Sequence, residues 1–182
     1  GDINQTYLDG ALAASKPGRD LIFSRIQVGP GASGRAAQTS LSLVNPAQTP
    51  ANVELTWFAS TGAAVSSITR TIPPRGRLSA PLTALFPALA ASLDSGYIRA
   101  TSDTNIAGVE LVEMAGTVYM VSGQQPSPAT TLYAAHFASG GLGGIQYFTD
   151  VNLINTSSSS RTVSVSLLGN DGIPVAGPGL VN

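Results

Sequence analysis

Thr39 to Val65 (TSLSLVNPAQTPANVELTWFASTGAAV) lies over Thr149 to Val175 (TDVNLINTSSSSRTVSVSLLGNDGIPV) without a gap, at a constant separation of 110 residues. Leu43 falls on Leu153, Asn45 on Asn155, Val53 on Val163, Gly62 on Gly172 and Val65 on Val175. The apolar pattern persists where identity lapses: Leu41 with Val151, Val44 with Ile154, Leu55 with Val165, Trp57 with Leu167. Upstream, Leu21 to Gln27 lies over Leu132 to Ala138 after a slip of one residue. A period of this length is that of a small domain, so the chain reads as tandem units and not as one large core. Residue 182 aligns with Ile72, so the second copy is partial. At the other end YLDGALAASKP resembles GTVYMVSGQQP, the stretch that leads from the first copy into the second. The expected division is 1–18 as the trailing strand of a preceding unit plus linker, 19–123 as a complete unit, and 124–182 as a partial second unit.

Within each copy the hydrophobic period is two, the spacing of a half-buried strand. Val53, Leu55 and Trp57 face one way and Glu54, Thr56 and Phe58 the other; Leu41 and Leu43 alternate with Ser40 and Ser42. Strands are expected at 21–27, 38–45, 53–58, 64–72, 96–101, 106–113 and 117–122. Ser60-Thr61-Gly62 and Asn170-Asp171-Gly172 read as tight turns in which glycine supplies a positive φ. Leu82 to Leu93 (LTALFPALAASL) has helical spacing broken by Pro87, which predicts one or two short turns crossing an end of the sheets. The predicted fold class is all-β: tandem Ig-like antiparallel β-sandwich units with one short helical crossover.

Charged residues are 10% of the chain and its formal charge is −1, which leaves no basic footprint for a phosphate backbone or anionic lipid. No apolar run approaches the roughly 18 residues of a membrane span. Polar cover comes from Ser and Thr, and cysteine is absent, which excludes disulfides and thiolate metal sites.

The motifs of both copies resemble repeats common in large secreted bacterial proteins. They are LYAAHFASGGLGGIQYFTDVNLINT followed by VSLLGNDGIPV, and in the first copy IPPRGRLSAPLTALFPAL and SGYIRATSDTNIAGVEL. Two departures stand out: Asn155-Thr156 where Asn-Pro is usual, and Arg75 inserted into a Pro-Pro-Gly turn. The resemblance implies exported β-sandwich modules of surface or filament proteins, and an extracellular or cell-surface location. It implies no activity, because the shared motifs are turns.

The residues that could carry chemistry are few. His136 is the sole histidine and aligns with Arg25, which cannot act as a base or bind a metal, so His136 is read as structural. No catalytic, cofactor or metal residue is assigned. Ser33 sits among glycines ahead of a strand and lacks a nucleophile elbow. The clusters 29–34 and 140–144 precede strands, with no phosphate-binding lysine, and read as hairpin loops. Glu110 and Glu113 fall on opposite faces of a strand and are expected to serve solvation and loose pairing with Arg70, Arg75, Arg77 or Arg99. Calcium would need loop carboxylates beyond Asn170-Asp171-Gly172, which its turn explains. Trp57 is read as core because Leu167 replaces it. Tyr147 and Phe148, beside a glycine loop, are the candidate ligand contacts.

Two functions are expected from this reading. The first is a non-enzymatic structural or adhesive module of an exported bacterial surface or filament protein, whose partners are its own copies or neighbouring repeats. The alternative is a carbohydrate-binding accessory module of a secreted enzyme, using Tyr147 and Phe148. Half a sandwich leaves an inner face and strand edges uncovered. Either a larger parent protein covers them, or a neighbouring molecule adds a strand head to tail, for which Gly1 to Ala14 is the candidate donor.

Overall fold

A computed structural model of the chain describes residues 17–30, 36–91, 96–114, 117–127, 129–134, 140–142, 145–147, 149 and 151–175. Its strands are β1 (Gly18–Phe23), β2 (Gly29–Pro30), β3 (Ala36–Val44), β4 (Ala51–Phe58), β5 (Ala64–Ile72) and β6 (Arg77–Pro81). A four-residue helix α1 (Leu82–Leu85) and a 3-10 turn (Pro87–Ala91) follow, then β7 (Tyr97–Met114), β8 (Thr117–Ser122), β9 (Gly140–Leu142) and β10 (Ile145–Tyr147).

β7 organises the fold. Its first half pairs with β1 on one side and β4 on the other (Ile98 opposite Phe23 and Trp57), and its second half pairs with β8 and β3 (Glu110 opposite Val121 and Leu41). β5 extends the first layer beyond β4, and β6 the second beyond β3, all antiparallel. One strand passing from layer to layer through a corner curls the eight-stranded sheet into a half-barrel. The periodicity predicted two strands at 96–101 and 106–113; the structure joins them, because the odd–even parity of the inward residues is kept across the corner. Ile98, Ala100, Ile106 and Val112 are all buried. β6, partly buried, directly follows Pro73-Pro74-Arg75-Gly76, where the resemblance implied a strand entry.

The core fills the curl. Leu21 and Phe23 of β1, Leu41 and Leu43 of β3, and Val53, Leu55 and Trp57 of β4 are each at most 3% exposed. β4 alternates buried and accessible residues along its length, as its sequence predicts. Leu82, Leu85, Phe86 and Leu89 plug one end. Pro87 stops α1 as expected: Phe86 before it turns to φ −129°, ψ 86°, the extended region favoured ahead of proline. Trp57 is core, packed against Phe86 with ring centroids 6.4 Å apart. Gly108 lets the layers close, since a Cβ there would stand 2.5 Å from Leu43 Cδ2 and 3.0 Å from the Phe23 ring.

Local geometry recurs between the two stretches that align in sequence 110 residues apart. Gly29 opposite Ala37 and Pro30 opposite Ala36 reappear as Gly140 opposite Tyr147 and Gly141 opposite Gln146. Asn45 Nδ2 donates to Thr49 O and Asn155 Nδ2 to Ser159 O, both at 2.8 Å; each Asn Oδ1 accepts the N–H two residues on, from Ala47 or Ser157, at 3.0 Å. The tight turns match too: Gly62 N–H to Ala59 O and Gly172 N–H to Gly169 O are both 2.9 Å, with φ of 85° and 78° at the glycines. What does not recur is the ladder. Residues 151–167 lie in no strand, although their counterparts are β3 and β4. β3 and β4 do not pair with each other; both pair with β7.

Candidate functional site

The one strongly perturbed ionisable side chain among the described residues is Glu110, on the inward row of β7 and 1% exposed. The chain leaving β1 crosses its carboxylate, and the backbone N–H of Arg25 donates to both oxygens, at 3.0 Å and 3.2 Å. Burial pushes its pKa up from 4.5 to about 8, against the opposing pull of the Arg25 backbone N–H, the Arg25 charge and the Ser24 backbone. Around it the same loop is fastened twice more. Thr39 Oγ1 accepts from Gln27 N–H at 2.8 Å and donates to Gln27 O at 3.0 Å. Tyr119 Oη donates to Gln27 Oε1 at 3.0 Å, and the Arg25 guanidinium lies 5.4 Å from the Tyr119 ring centre. Glu110, Thr39 and Tyr119, from three adjacent strands, thus hold residues 25–27 across the mouth of the curl.

This corrects one expectation. Glu110 and Glu113 do face opposite ways, with Glu113 exposed, but Glu110 is buried and accepts from the Arg25 backbone N–H, in place of the expected solvation and loose pairing with Arg70, Arg75, Arg77 or Arg99. Arg99 is taken by Asp20, through Nε at 2.9 Å and Nη2 at 2.6 Å. That pair is 41% and 32% exposed and is worth at most about 1 kcal/mol. The signal for Glu110 was present in the sequence: it shares parity with Ile106 and Val112, so a carboxylate was written into an apolar row. The loop that binds it was not visible, being 85 positions away.

Chemically, the arrangement binds backbone and not substrate. A carboxyl group 1% exposed under its own loop offers no approach to a reacting atom. Beside the loop lies a shallow cleft of about 250 Å³ between Ser24–Gln27, Gly96, Val151 and Asn152. No group of three or more His, Cys, Asp or Glu that could hold a metal occurs among the described residues.

His136, Ser33 and Phe148 lie outside the described residues; Tyr147 is placed only by its backbone, paired with Gly140 in the β9–β10 hairpin. Three other aromatics serve the scaffold: Phe58 and Tyr97 stack across adjacent strands with centroids 4.8 Å apart, and Tyr119 ties down the loop. Asp171 accepts the Ile173 N–H within its turn at 3.0 Å.

No family model matches the chain, and no curated protein does. Among solved structures it is similar to Thermotoga maritima 1070, with a TM-score of 0.50 and 16% identity over 60% of this chain and 96% of that one. It also matches the Anabaena sensory rhodopsin transducer, with a TM-score of 0.42 and 15% identity over 54% of this chain and 85% of that one. At such identity the first likeness speaks to the fold alone. The class defined is an all-β chain built on a curled antiparallel sheet.

Proposed function

We propose that the chain is a non-enzymatic structural or adhesive module, made of tandem Ig-like sandwich units and belonging to an exported bacterial surface or filament protein. One observation carries this reading: two turns and one hairpin recur at a spacing of 110 to 111 residues, so what is duplicated is scaffold. The buried ionisable group supports it, because Glu110 is spent on holding a loop. Low charge and Ser/Thr-rich faces suit a surface that packs against copies of itself, since little repulsion opposes association.

Sedimentation velocity of the whole chain from micromolar to near-millimolar concentration, with negative-stain images of the same samples, tests the proposal. Open-ended, concentration-dependent species are expected. A strictly monomeric particle throughout would refute assembly by self-association. The carbohydrate-binding alternative rests on Tyr147 and Phe148, and no feature of the described residues favours it.

A further inference from the structure

We infer that residues 24–28 form a strap across the mouth of the curl, latched by Glu110 while its carboxyl carries a proton and released when the carboxyl ionises. This latch goes beyond the module reading and does not depend on it. The segment lies between β1 and β2 and belongs to no strand. Side chains reach it from three strands: Glu110 of β7 at the Arg25 N–H, Thr39 of β3 at the Gln27 N–H and C=O, and Tyr119 of β8 at Gln27 Oε1. Its own Ile26 is 1% exposed and joins the core. On either side the chain is tied by backbone. Ile22 exchanges two bonds with Gln124, at 2.7 Å and 2.9 Å, and Gly29, at φ 89°, pairs with Ala37. A segment anchored at both ends and held between them by a few side-chain bonds can open without parting the strands around it.

Opening changes the surroundings of one carboxyl. Closed, Glu110 is buried in a row with Ile106 and Val112, where a charge is costly. Open, it meets water and titrates as an ordinary glutamate. The protonated form keeps the latch, since its carbonyl oxygen still accepts the Arg25 N–H. The elements packed around it bring few charges. β3 is uncharged along its nine residues, and β8 brings only the Tyr119 phenol, which donates to Gln27. Glu113 of β7 is exposed on the opposite face, and Arg19 and Asp20 of β1 lie along the first half of β7, where Asp20 holds Arg99. Arg25 of the strap itself pulls toward the ionised form, yet burial outweighs it and raises the closed-state pKa to about 8.

The sign follows. Between 4.5 and about 8 the open state has lost a proton that the closed state keeps, so each pH unit favours opening tenfold, on the order of a thousandfold in all. Below that window the latch holds fully; above it the gain stops.

Amide exchange of Arg25 and Gln27, followed by NMR in the whole chain from pH 5 to 8 with and without a low concentration of urea, tests the latch. With the ordinary base-catalysed rise divided out, both amides should open tenfold more often per pH unit. They should also open more often than the amides of β4 and show no dependence on low urea, as local opening requires. Glu110→Gln should abolish the pH slope. Thr39→Val, which removes a fastening without removing the titration, should raise opening about tenfold at every pH and leave the slope intact. That second variant, with wild type, carries the test if Glu110→Gln does not fold. Opening at the frequency of β4, opening that low urea promotes, a flat pH profile in wild type, or a slope that survives Glu110→Gln would overturn the latch.

Discussion

Replacing Glu110 by Gln should remove one specific component of the protein's pH dependence. The carboxyl pKa is raised from 4.5 to about 8 by burial, so between those values the folded state holds a proton that the unfolded state has lost. Stability from this group is fully present below the unfolded pKa and is lost as pH rises through the folded one. At 1.36 kcal/mol per unit, the loss from pH 4.5 to beyond 8 is on the order of 5 kcal/mol. Gln keeps an oxygen that can accept the Arg25 N–H but has no proton to lose. Urea unfolding at pH 5, 6, 7, 8 and 9, followed by fluorescence of the single, buried Trp57, separates the two proteins. Wild type and Glu110→Gln should agree within about 1 kcal/mol at pH 5, the size of one altered hydrogen bond. The variant should then be several kcal/mol the more stable at pH 9. The difference between them isolates Glu110 from His136 and from every other titrating group. Parallel stability curves for the two proteins across this range would refute the reasoning.

Two further substitutions test other parts of the scaffold. Asn45, fully buried, donates to Thr49 O, Ile72 O and Pro73 O and accepts from Ala47 N–H, so Asn45→Ala should cost about 2–4 kcal/mol in the same urea assay. Asn155→Ala, at the exposed equivalent, should change it by less than about 0.5 kcal/mol. Arg75 holds φ 54° in the turn closed by Gly76 N–H to Pro73 O at 2.9 Å. Arg75→Gly should therefore be neutral or raise stability by up to about 1 kcal/mol, whereas Arg75→Val should lower it by at least as much, both measured as midpoint shifts at constant m.

Glu110 and Asn45 mark where reading along the chain succeeds and where it stops. Alternation told that Val53, Leu55 and Trp57 share a face, and the structure buries all three. Gly62, Gly172 and Pro87 were legible as punctuation because a positive φ or a missing N–H is a property of the residue itself. By contrast, the sequence offered 96–101 and 106–113 as separate strands, since the polar corner Ser102–Asn105 interrupts the apolar pattern. Only pairing with four other strands makes them one.

The amino-acid sequence alone settled the all-β class and the inward rows, because each depends on neighbours within a few residues. Tertiary structure decided two further things: that β7 pairs with both β3 and β4, and that a carboxyl group in its apolar row is bound by a loop 85 positions away. Burial is a property of the partner strand as much as of the side chain. Leu43 is buried because β7 lies beside it, with Gly108 opposite.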